Sequence, residues 1–138
     1  MSATEIVVPE PEVKIVKYEI SCLPESSVNR VHWMVTVEYK GNHQWAICNF
    51  GGQHQWGRSD QRFSFGYSWR DGTREPITDE EWDEYRTGRE EWLADHRFAL
   101  EAALEIAKRI APEIRVNGKT VADVLRHEAE VEAREDAG

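Results

Sequence analysis

Seven carboxylates fall within thirteen residues, at Asp79, Glu80, Glu81, Asp83, Glu84, Glu90 and Glu91, opposed only by Arg86 and Arg89. Such a run makes a strong local negative field that attracts basic surfaces and repels phosphate backbones. Acids also gather at helix starts because they favour the helix dipole, so Glu80-Glu81 and Glu90-Glu91 read as helix-start pairs rather than acid-base dyads. The run therefore points to binding. The partner would be a basic protein surface or, if the acids imitate phosphates, a nucleic-acid-handling enzyme held by a decoy.

A second group lies in the Gly-rich stretch 51–61, where His54, Gln55 and Trp56 offer donors, acceptors and a stacking surface. Loops of this kind carry function disproportionately, so this one is a candidate contact for a small ligand or peptide. Its plainer reading is a surface loop pinned by Trp56. His32, His43 and His54, with Cys22 and Cys48, have the atoms of a metal site but lack the two-to-five-residue pairing that structural zinc usually shows. An enzyme using Cys22 or His54 is the weakest possibility. The chain has no G-x-S-x-G, no P-loop, no H-E-x-x-H and no G-x-G-x-x-G, and nothing beside Cys22 would lower its pKa. The expectation is a protein that is not an enzyme, with no catalytic residue, no metal and no cofactor.

The elements that must position these residues follow from periodicity. Residues 13–22 put Val16, Tyr18, Ile20 and Cys22 on one face of a strand, and 30–40 do the same for Val31, Trp33, Val35, Val37 and Tyr39. A two-residue hairpin at Gly41-Asn42 leads into a strand over 43–50 and sets Val37 opposite Ala46, Val35 opposite Cys48 and Trp33 opposite Phe50. Cys48 then points into the core. The reverse face carries Met34, Trp45 and Ile47, which must be covered or displayed; if displayed, they form a second candidate protein-binding surface. Residues 62–70 alternate again and predict a fourth strand.

Thr78 with Glu81 has the form of a capping box, so a helix starts at 79. Gly88, inside a second such pattern at Thr87–Glu90, predicts a kink or break, with a long helix running on to Ala111 before Pro112. Trp92, His96, Ala99, Leu100, Ala103, Leu104, Ala107 and Ile110 form its apolar stripe, which makes His96 a hydrogen-bonded core residue. Val116-Asn117-Gly118-Lys119 is a tight turn, and Thr120 with Asp123 caps a last helix over about 121–134. Residues 1–12, with Pro9 and Pro11, form a disordered tail, leaving 13–138 as a single domain. The fold class is α+β, a four-stranded antiparallel meander sheet (about 13–70) with C-terminal helices (about 79–111 and 121–134) packed on one face.

With 26 acidic and 17 basic residues the chain carries a formal charge of −9, which excludes ordinary nucleic-acid binding. Nearly all of it is in the second half, since 79–138 contains 17 acids and nine bases. No stretch approaches the ~20 apolar residues of a membrane span, and Met-Ser-Ala-Thr-Glu is no secretory signal. Two cysteines make no disulfide framework. A soluble, cytoplasmic setting without membrane contact is expected, and a homodimer is possible.

Several segments together resemble a family of small uncharacterised proteins from actinobacteria and their phages. These are Ser21-Cys22-Leu23-Pro24-Glu25, Val37-Glu38-Tyr39-Lys40-Gly41, Trp45-Ala46-Ile47, Trp92-Leu93-Ala94-Asp95-His96-Arg97-Phe98 and Val116-Asn117-Gly118. The likeness departs over 49–68. It implies a setting rather than a chemistry: a phage or prophage accessory protein in a bacterial host cell, binding a host protein of unknown identity.

Overall fold

A computed structural model describes residues 5–49, 54–58 and 75–137. The chain forms β1 (Lys17–Ser21), β2 (Met34–Gly41), β3 (Gln44–Asn49) and β4 (Gln55–Trp56), then α1 (Asp79–His96), α2 (Leu100–Ile110) and α3 (Val121–Ala137). The strands make one antiparallel sheet in the order β1-β2-β3-β4, a meander followed by helices, and the fold is α+β. Residues 5–16 are exposed and belong to no element. The strand predicted over 62–70 lies outside the described residues. The described fourth strand comes instead from the stretch read as a loop.

The β2–β3 hairpin corrects the predicted register. Its turn is Asn42-His43, both at positive φ (51° and 60°), and Gly41 at φ 91° sits at a register shift between Tyr39 and Gly41. Asn tolerates the left-handed region and Gly has no Cβ to clash there, so the primed turn forms one residue later than Gly41-Asn42 would give. Tyr39 then pairs with Trp45, Val37 with Ile47 and Thr36 with Cys48. A shift of one residue turns every side chain of β3 over. Trp45 and Ile47 join Val35 and Val37 in the core, while Ala46 and Cys48 lie on the other face with Thr36 and Glu38. Trp33 is no strand residue either. It follows a 3-10 turn at Arg30–His32 and packs with Leu23, Val121 and Val124 in a second cluster beneath α3.

α2 covers the first face. Ala103, Ala107 and Ala111 are buried there against Val35, Val37, Trp45 and Ile47, with Leu100, Leu104 and Ile110 alongside. Small side chains at spacings of four let the helix lie close to a sheet face that already carries large ones. The capping pattern at its neighbour holds: Thr120 Oγ1 accepts from Asp123 N at 3.2 Å, and Asp123 Oδ2 accepts from Thr120 N at 3.0 Å. The turn before it is tight as expected, with Val116 and Lys119 exchanging two backbone bonds of 3.0 Å.

The break in the helical segment is also displaced. α1 runs unbroken through Gly88 and ends at His96. One glycine in a helix interior costs only about 1 kcal/mol, which the flanking turns tolerate. The chain opens at Arg97–Ala99 because Phe98 makes two backbone bonds with Trp45, of 2.8 and 3.0 Å, and buries its ring. Extending the helix through Phe98 would forfeit both.

Candidate functional site

The acidic run lies on α1. Thr78 caps this helix, its Oγ1 accepting from Glu81 N at 3.1 Å. Glu81, Tyr85, Gly88 and Trp92 are half-buried and His96 is buried, at spacings of four, three, four and four, so they define the inner face. At 100° per residue, Asp79, Asp83 and Glu90 point away from that face, and Glu80, Glu84 and Glu91 line one flank. All six are exposed. Arg86 and Arg89 are on the opposite flank, and Arg86 bonds Asp83 at 3.0 Å. Helical geometry has thus sorted the charge into an acidic side and a mixed one. Trp82 is on the arginine flank, edge-on to Tyr85 at 5.8 Å.

The predicted ligand loop does something different. His54 is exposed, with its backbone bonded to Asn49, whereas Gln55 and Trp56 form β4 and are half-buried. Trp56 sits opposite Ile47 and packs on the core. Gln55 Oε1 accepts from Arg97 Nη1 at 2.8 Å. Immediately beyond, Gly57 and Arg58 grip the end of α1. Arg58 N donates to Asp95 O at 3.0 Å, and its guanidinium donates to the carbonyls of Ala94 and Arg97 while lying 4.4 Å over the Phe98 ring. These carbonyls are among the last of a helix, which have no partner within it and carry the negative end of its dipole. A cation from the sheet side caps them. Gly57 is required for the approach, because a Cβ there would stand 2.7 Å from His96 Nε2. His96 Nδ1 is 2.8 Å from Trp92 O and its ring stacks on Trp92 at 4.2 Å, as a buried, hydrogen-bonded histidine should.

The second face of the sheet holds a polar group built on Cys48. Thr36 Oγ1 donates to Glu38 Oε2 at 2.9 Å, and the Cys48 thiol also faces the Glu38 carboxyl. Burial, with the nearby Glu38 charge, pushes the Cys48 thiol up to about 12. Burial raises Glu38 as well, but the bonds from Thr36 and Cys48 and the neighbouring Lys40 and Lys17 leave it below the usual carboxylate range. A thiol of this kind is a poor nucleophile at neutral pH.

The structure therefore separates the predicted site residues. Met34, Trp45 and Ile47 are all covered, with Trp45 and Ile47 in the core, so the displayed sheet face weighed above does not exist around them. Cys22 is exposed just past β1 and His54 just before β4. Among the described residues no group of three or more His, Cys, Asp or Glu is arranged to hold a metal ion. No helix among them is long and apolar enough to cross a membrane. What sequence reasoning missed is the junction of Gly57, Arg58 and Arg97. Its bonds join positions 36 to 42 residues apart, and no local pattern marks them.

No protein family matches the chain, and no curated protein or solved structure matches it.

Proposed function

We propose that the chain is a non-enzymatic accessory protein of phage or prophage origin that binds a basic surface of a host protein through the acidic side of α1. The observation that carries this reading is the sorting of charge on that helix. Six exposed carboxylates occupy the outer side and one flank, and the two arginines are displaced to the other flank. The covering of Met34, Trp45 and Ile47 removes the competing surface and leaves α1 as the candidate. The phage setting rests on the motif resemblance.

The test is an affinity pulldown from an actinobacterial lysate with the intact chain and with Glu80→Gln, Glu84→Gln and Glu91→Gln combined. A partner captured at low salt, released between roughly 0.05 and 0.3 M salt and lost in the triple variant supports the reading. An unchanged set of partners in the variant overturns it. If the captured protein handles nucleic acid and duplex DNA competes for the same surface, the acids act as a phosphate mimic, which is the alternative form of the proposal.

A further inference from the structure

We propose that β1 pairs with β1 of a second copy of this chain, antiparallel and centred on Val16, joining two sheets into one. β1 is the end strand of the described sheet, and among the described residues its outer edge is unpaired. The strand geometry continues back beyond its first residue, since Tyr39 N donates to Val16 O at 2.8 Å. Apolar side chains follow along this edge: Val13 is 95% exposed, Ile15 62% and Val16 53%. A long, apolar, unpaired edge is a template for another strand.

The bond from Tyr39 fixes which groups are available. In a strand, a residue's N–H and C=O point to one side and those of the next residue to the other. Val16 is turned toward β2, so the even-numbered residues serve the existing ladder and Val13, Ile15, Lys17 and Glu19 direct their backbone outward. Pro9 and Pro11 share this outward parity and lack an N–H, which closes the edge before Glu12. The window for pairing is therefore about 12–21.

Within it, a second copy is the occupant that the sequence fits. A two-fold axis through the sheet keeps like faces together only if it passes beside a residue, here Ile15, Val16 or Lys17. An axis at Lys17 sets two ammonium groups opposite each other. One at Ile15 brings Pro11 into the ladder opposite Glu19, whereas an axis at Val16 leaves Pro11 beyond its end, opposite Ser21. At Val16 the opposed pairs are Val16 with Val16, Ile15 with Lys17, Lys14 with Tyr18 and Val13 with Glu19. No like charges meet, and about eight ladder hydrogen bonds form.

Sedimentation equilibrium of the full chain up to about 100 μM should give twice the 16.0 kDa chain mass. Ile15→Pro removes an outward N–H without touching the β2 ladder and should weaken association at least tenfold, with an unchanged circular dichroism spectrum. Val16→Cys, in a Cys22→Ser background, sets two thiols at a non-hydrogen-bonded pair and should give an intermolecular disulfide on mild oxidation, while Ile6→Cys should not. A monomer throughout the range overturns the proposal and leaves the edge to some other strand. A dimer that ignores Ile15→Pro and does not cross-link through Val16→Cys overturns it as well, in favour of another face.

Discussion

α1 and α2 are separated by three residues, yet they are held by different means. α2 is placed by its side: Ala103, Ala107 and Ala111 are buried on the sheet, and one stripe determines both position and rotation. Among the described residues the contacts that hold α1 are at its end, where Gly57 and Arg58 close on Ala94–Arg97 and Phe98 joins the edge of β3. A helix held along its side must give that side to the core. One gripped at its terminus keeps more of its length for charge, and α1 carries eight acids where α2 carries Glu101 and Glu105.

This contrast can be broken at four places. Phe98 belongs to both arrangements, so Phe98→Ala should cost the most, about 3–5 kcal/mol in denaturant unfolding, and loosen both helices in amide exchange. Ala107→Leu overpacks the α2 stripe and should cost about 1–3 kcal/mol, with protection lost in α2 and the sheet before α1. Arg58→Ala should cost about 1–2 kcal/mol, comparable with loss of a helix cap, and raise exchange in the last turn of α1 while α2 keeps its protection. Equal loss in the two helices would mean that they open as one unit. Gly88→Ala goes the other way: among the described residues nothing lies within 4 Å of a Cβ there, so the melting temperature should rise by the equivalent of about 0.5–1 kcal/mol.

α3 supplies a third mode and the smallest effect. Glu128 accepts from Ser27 and Asn29, and these two bonds hold its carboxyl below the usual range. A depressed carboxylate pKa contributes stability above its unfolded value of 4.5, and this is lost as pH falls through the lower folded value. Glu128→Gln should therefore weaken the protein slightly at pH 7 and make the acid limb of its stability curve shallower. A parallel shift of the whole curve would show that the carboxylate charge is not involved.

The fold was legible where a local rule decides it. The Thr78 and Thr120 caps, the Val116–Lys119 turn, the Pro112 stop and the meander order all follow from short patterns. The hairpin register was not, although the composition held a clue: Trp45 and Ile47 outweigh Ala46 and Cys48 as partners for Val35 and Val37. The turn rule pointed one way and the apolar volume the other, and volume was the better guide. The helix break was invisible because its cause, the pairing of Phe98 with Trp45, spans the chain. Of the candidate residues, the acids lie where periodicity put them, on an exposed helix. Gln55 and Trp56 do not, since strand pairing and Arg97 engage them.

Cys48 gives the molecule an internal clock. Burial and the Glu38 charge hold its thiol protonated at neutral pH, and it is 1% exposed. Cys22, exposed, should take up a thiol reagent at once. The second equivalent must wait until the sheet face carrying Thr36, Ala46 and Cys48 is uncovered, so its uptake rate times that opening at a natural residue.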